Sequence, residues 1–320
     1  MRKFKIIIKI VVCAILLSCL AACYRFSPPV NILQTEHSIA KGDLYAQFFG
    51  TSTVYISDGY HSIMVDGFFT RQSYFKTLLT RMKSNKKMIE ASLKRADINN
   101  IDLLLVSHSH FDHALDSQAT AMATDALVMG SKATLSLSPK AKSSLIDTAA
   151  SVTRGDFQVS FYETIHIEKN ALMRCLESFV LWSTGGSRFK DKAEVYSFYI
   201  RHPKANILIV PSAGLPADLV LPDNTDVVFL GIGLLGNQSA QYIRDYWQRA
   251  VIDTGAKSVI LIHWDNFFRP LTHPIQPTPS IVDDVDRTLQ LLTHLASQTQ
   301  KTNTPVNLWL PPAFDRFLLH

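Results

Sequence analysis

Between residues 45 and 65 the chain repeats one unit, a short run of apolar and β-branched positions closed by a turn. Tyr45-Ala46-Gln47-Phe48-Phe49, Thr53-Val54-Tyr55-Ile56 and Ser62-Ile63-Met64-Val65 are punctuated by Gly50, Asp58-Gly59 and Asp66-Gly67. That pattern predicts a three-stranded meander. From 72 to about 93 charged and apolar residues mix at helical spacing, with Leu78, Leu79 and Met82 on one side. An amphipathic helix, or a helix and a loop, is expected there. Ile101-Asp102-Leu103-Leu104-Leu105-Val106 reads as a buried strand, 115–124 as a helix of small residues, and Leu127-Val128-Met129 as a returning strand.

The second half starts the pattern again near Phe157. Strands are expected at 159–162 leading into 164–167, then at 195–200, 207–210, 227–230 and 258–262. Helices are expected at 239–254, where Tyr242, Trp247 and Val251 form an apolar stripe, and at 281–296. Strands and helix followed by strands and helix imply an α/β protein with two facing sheets and helices outside.

The first 22 residues differ from all of this. Arg2, Lys3, Lys5 and Lys9 precede an apolar run that ends in Leu20-Ala21-Ala22-Cys23, the pattern of a cleaved export signal. The sequence around Cys23 resembles the lipobox of bacterial lipoproteins, which implies a lipid on Cys23 and membrane attachment through it. Tyr24 in place of an acidic residue implies the periplasmic side of the outer membrane in a two-membrane bacterium. Residues 23–42, with Pro28 and Pro29 and no periodicity, are expected to be a tether, and 43–320 the folded domain. With Cys13 and Cys19 in the leader and Cys23 acylated, Cys175 remains alone, so no internal disulfide is expected.

Composition changes the picture in two ways. At 47% hydrophobic and 18% charged residues the chain can bury a full core. The formal charge of +5 is misleading, because four of the 32 basic residues leave with the leader and none of the 27 acidic ones does. The remaining domain is close to neutral, and no nucleic-acid partner is implied.

The chemistry concentrates in Ser107-His108-Ser109-His110-Phe111-Asp112-His113, directly behind the 101–106 strand. Residues two apart in an extended segment point the same way, so His108 and His110 can share one ion. Asp112 and His113 then fall where a helix begins, facing a second ion or the water beside the first. His166 and His263 also stand at apolar strand ends; each alone reads more readily as a structural histidine than as a ligand. The histidines at 37, 61, 202, 273, 294 and 320 have no such setting.

Gly50-Thr51-Ser52-Thr53, Asp66-Gly67, His-x-His-x-Asp-His at 108–113 and the later isolated histidines together resemble the metallo-β-lactamase superfamily over roughly 43–310. The resemblance implies a four-layer αββα sandwich with metals at one edge of the sheets. It places His108, His110 and His166 on a first ion and Asp112, His113 and His263 on a second. It also exposes a departure: the acid that usually bridges the two ions is matched by Ser212. A hydroxyl is a weaker ligand than a carboxylate, so one zinc ion is expected to bind firmly and a second weakly or not at all, unless an acid such as Asp265 substitutes.

A three-histidine zinc site is Lewis acidic and brings a bound water towards a pKa of ~7. Asp112 would accept or relay its proton and His263 would assist the leaving oxygen. Arg188, Trp264, Phe268 and Arg269 are candidate substrate walls. The function expected is a zinc-dependent hydrolase of a phosphodiester, phospholipid-like molecules included, or of a lactone or ester. The alternative is a non-catalytic, lipid-anchored binding protein of the cell envelope that keeps a structural metal. Oligomeric state is left open.

Overall fold

The computed structural model describes residues 26–169, 174, 194–271, 275–300 and 305–319. The leader, Cys23 and Arg188 lie outside them. The expected meander is present as β2 (Tyr45–Phe48), β3 (Val54–Ser57) and β4 (Ser62–Val65), each antiparallel to the next. Strands β5 (Leu103–Leu105), β6 (Leu127–Gly130) and β7 (Ser143–Leu145) add in parallel, and β15 (Arg316–Leu318) pairs with β2 to close the other edge. The sheet order is β15-β2-β3-β4-β5-β6-β7.

A second sheet contains β8 (Ser151–Arg154), β9 (Phe157–Thr164), β10 (Val195–His202), β11 (Ala205–Val210), β12 (Val227–Gly231), β13 (Ser258–Ile262) and β14 (Asn307–Leu310), with β1 (Asn31–Ile32) parallel to β14 at its edge. Strands β11 to β14 are mutually parallel, and β8 to β11 antiparallel.

Alternation across each strand explains why both sheets read as nearly continuous apolar runs. Leu103 and Leu105 point inward with Ile63, Val65, Phe198, Ile207 and Ile260. Their neighbours Leu104 and Val106 point outward, under Ile89 and Leu93 of α2 (Lys86–Arg95) and Ala121 of α4 (Ser117–Thr124). On the far side Leu230, Val259 and Leu261 meet α6 (Ala240–Trp247) and α7 (Val285–Thr299). Each such fully buried aliphatic side chain contributes about 1.5–3 kcal/mol. The four-layer αββα order is therefore the one expected from the resemblance.

Three expectations change. The 72–93 region is two helices, α1 (Tyr74–Leu79) and α2, because Ser73 and Asn85 each cap an N-terminus through their side chains. The 239–254 helix leaves α-geometry after Trp247 and ends in a π-turn at Gln248–Ile252. Part of the expected tether is docked: β1 extends the sheet, Val30 is buried, and Phe26 stacks on Trp264 at 5.2 Å.

Candidate metal centre

The stretch from Ser107 to His113 leaves β5 and enters α3 (Phe111–Ala114), with His110 extended at its N-cap. All seven side chains are buried. What holds this polar loop inside is Asp66, one residue past β4 and left-handed at φ 60°. Its carboxylate accepts the Ser107 N–H at 2.7 Å and the Ser52 hydroxyl, and lies 2.7 Å from His113 Nδ1. A carboxylate on Nδ1 fixes the proton there and leaves the Nε2 lone pair for the site.

That nitrogen faces His263 Nε2 at 3.2 Å and Asp112 Oδ2 at 3.5 Å, and His263 Nε2 lies 3.4 Å from the same oxygen. Beside this second group, His108 Nε2 and His110 Nδ1 approach to 2.9 Å, and the His166 ring centre is 4.7 Å from that of His110. His166 Nδ1 lies 2.8 Å from the Ile167 carbonyl, so the ring proton is on Nδ1 and the lone pair on Nε2. Each three-residue group offers donor atoms within 4.8 Å of one another. Nitrogens and one carboxylate crowded in this way, with lone pairs turned inward by their outer partners, fit a first-row metal ion.

Electrostatics favour an ionised Asp112 and a neutral His108. Burial, then the neighbouring histidines, push His108 well below its ordinary value. Burial alone would raise the Asp112 carboxyl, but His113 and His263 hold it well below the usual carboxylate range. His113 is raised, because Asp66 and then Asp112 outweigh burial.

His166 follows β9, whose end is tied to the loop after β11 by an Ile165–Gly214 bridge. Ser212, in that loop, accepts the Ile167 N–H at 3.4 Å. His263 follows β13 at φ 59°, and its ring lies against Gly233, where a Cβ would come within 2.6 Å of Nδ1. With its side chain 17% exposed, His263 is the open side of the second group.

The walls are not those expected. Trp264 is only 5% exposed and belongs to the core around Phe26 and α7, turned away from the metals. Phe268 is buried and stacks on Tyr74 at 4.3 Å. Arg269 stands exposed on a surface turn. The aromatic ring beside the site is Phe267, half-buried and edge-on to His263 at 6.3 Å and to Phe111 at 5.7 Å. Asp265 does not substitute for the missing bridge, since Arg71 Nη1 at 2.7 Å and the Thr51 N–H at 2.5 Å take its two oxygens.

A third cluster, Asp58, Asp156 and His202, lies where β3 and β10 end. There the Lys204 N–H donates to His202 Nδ1 at 3.2 Å. The ring proton is thereby placed on Nε2, facing Asp58, and no lone pair is offered to a metal.

Residues 46–160 match the family model described as the metallo-beta-lactamase superfamily, a span that includes the whole meander and His108 to His113. The fold is that of the metallo-β-lactamases. Among solved structures, the metallo hydrolase Igni18 from Ignicoccus hospitalis is 14% identical, with 87% of this chain and 98% of that one covered at a TM-score of 0.51. CmlA, a diiron β-hydroxylase from Streptomyces venezuelae, is 14% identical over 88% of this chain and 55% of its own, at 0.50. YhfI from Bacillus subtilis is 12% identical over 87% and 99%, at 0.49. The search of curated proteins found no match. At these identities the likeness is one of fold.

Proposed function

We propose that this metallo-β-lactamase-fold protein is a metal-dependent hydrolase, with its reaction centre between the two groups. The observation that carries the reading is Asp112: a buried, ionised carboxylate 3.4–3.5 Å from two imidazoles, adjoining a three-histidine group that has no need of it. A zinc ion held by His108, His110 and His166 would supply Lewis acidity and lower the pKa of a water to about 7. Asp112 is placed to take the proton from that water, and His113, kept in one tautomer by Asp66, and partly exposed His263 bind or orient the oxygen that departs. Ser212, whose hydroxyl is already engaged by Ile167, supports firmer binding at the first group than at the second.

The substrate class proposed is a phosphodiester or an ester or lactone carrying an apolar part. Phe267 and Phe111 support it as an apolar edge on an otherwise polar centre. A lipid on Cys23, placing the domain at the outer membrane facing the periplasm, would bring phospholipid-like molecules within reach and belongs to the same proposal. A binding protein with a structural metal is favoured by Ser212 alone.

The test is zinc content per chain, with hydrolysis of bis(p-nitrophenyl) phosphate and of p-nitrophenyl esters before and after chelation. One or two zinc ions per chain, and turnover abolished by chelator and restored by zinc, are expected, with zinc content falling in His110→Ala. No zinc uptake and no turnover would sink the reading. With an apolar ester, Phe267→Ala should raise KM by roughly tenfold while kcat stays within about twofold, as loss of contact in both ground and transition states requires. An unchanged KM would remove Phe267 from the substrate wall.

A further inference from the structure

The Gly50-Thr51-Ser52-Thr53 turn and the pair Arg71–Asp265 have no role in the chemistry above, yet both reach the second group. Arg71 and Asp265 are 0% and 1% exposed and come from opposite halves of the chain. A buried ion pair contributes little net stability by itself, which directs attention to what this one holds. While one Asp265 oxygen binds Arg71, the other accepts the Thr51 N–H at 2.5 Å. Arg71 Nη2 donates to the Phe49 carbonyl at 3.0 Å and to Thr51 Oγ1 at 3.2 Å. The Thr51 carbonyl in turn accepts the His263 N–H at 2.5 Å.

Thr51 is thus gripped at both its N–H and its C=O by the 263–265 segment. Thr51 and His263 are both left-handed, at φ 53° and 59°, a conformation that non-glycine residues keep only where the surroundings enforce it. The next residue, Ser52, reaches Asp66 and lies 2.9 Å from His113 Nδ1. One connected set of bonds therefore runs from Arg71 through Asp265 and Thr51 to two of the three second-group ligands.

We propose that Asp265, paired with Arg71, is a positioning residue for the second group. It sets the affinity of Asp112, His113 and His263 for an ion by holding Thr51 and His263 in place, and it leaves the first group unaffected. The inference rests on the metal-centre reading above. Gly50 supports it independently: at φ 82°, a Cβ there would overlap both the Arg71 guanidinium and the Asp265 carboxylate, so this turn accommodates the pair only as glycine.

The experiment titrates the metal-free full chain with Zn²⁺ alone, by calorimetry, in two backgrounds. His110→Ala disables the first group and His263→Ala the second. Asp265→Ala and Gly50→Ala should each weaken zinc binding at the second group by about tenfold or more, the scale of losing an outer partner of a metal ligand. At the first group the change should stay within about twofold. Asp265→Asn, which keeps an acceptor for the Thr51 N–H, should fall between wild type and alanine. If Asp265→Ala does not fold, Gly50→Ala and Asp265→Asn carry the test from the two sides of the pair. Equal loss at both groups, or unchanged binding at the second, overturns the proposal and leaves the metal reading intact. Zinc at the first group alone in the wild type also overturns it, and zinc at neither overturns both.

Discussion

Alanine in place of Asp112 should lower kcat by about 10²- to 10⁴-fold, the range over which a positioned acid–base group contributes, while zinc at His108, His110 and His166 stays bound. The expectation follows from geometry. Asp112 stands in the second group, against His113 and His263, and two of the three first-group ligands have other partners for their tautomers: His166 uses the Ile167 carbonyl and His108 the Ser107 hydroxyl at 3.1 Å. Steady-state kinetics and metal analysis on the same preparation separate the outcomes. Full turnover in Asp112→Ala would remove it from proton transfer. Loss of first-group zinc together with turnover would make Asp112 a structural element of the whole loop.

The largest loss of stability is expected at Asp66. It is fully buried and accepts from the Ser107 N–H, the Ser52 hydroxyl and His113 Nδ1, while its own N–H bonds the Leu105 carbonyl. Asp66→Ala would leave the buried Ser107 N–H without its acceptor and His113 Nδ1 with only the Ser52 and Ser107 hydroxyls beside it, a change of about 3–5 kcal/mol by the measure of broken buried pairs. Asp66→Asn separates folding from metal binding. With its oxygen on Ser107, its amide N–H₂ must face His113 Nδ1, which turns the His113 proton to Nε2 and removes a lone pair from the second group. Thermal unfolding of the metal-free chain should show Asn well above Ala, and zinc titration should show Asn weakened at the second group. Wild-type zinc binding in Asp66→Asn would overturn the assignment of Asp66 as the partner that sets the His113 tautomer.

These residues also show how far the chain can be read without its structure. The alternation in β2 to β4, the apolar run ending at Val106 and His-x-His-x-Asp-His are local signals spanning a few residues, and they locate four strands and one stretch of four candidate ligands. The lone histidines 166 and 263 are 58 and 155 residues beyond His108 by their numbers; their place at apolar strand ends marked them, and only the resemblance assigned them to a metal. Asp66 carries a detectable signal, an Asp-Gly closing a strand beside the metal loop. Arg71 carries none, because a single arginine ahead of a helix is ordinarily solvated, and only its partner 194 residues away makes it a buried charge.

The walls show the same limit. Reading onward from His263 assigns Trp264 to the site because it is adjacent. His263 leaves β13 with a left-handed backbone, Trp264 packs in the core against Phe26, and Phe267 lies edge-on to the His263 ring.

By itself the sequence determined the class of fold and the chemistry at one strand end, since hydrophobic periodicity and ligand spacing act between neighbours in the chain. Tertiary structure alone decided which tautomers the histidines take, which acid is a ligand and which is held in an ion pair, and which aromatic ring borders the centre. Those choices depend on burial and on hydrogen-bond partners as far as 214 residues away, and desolvation gives such distant contacts their strength only once the two sheets have closed.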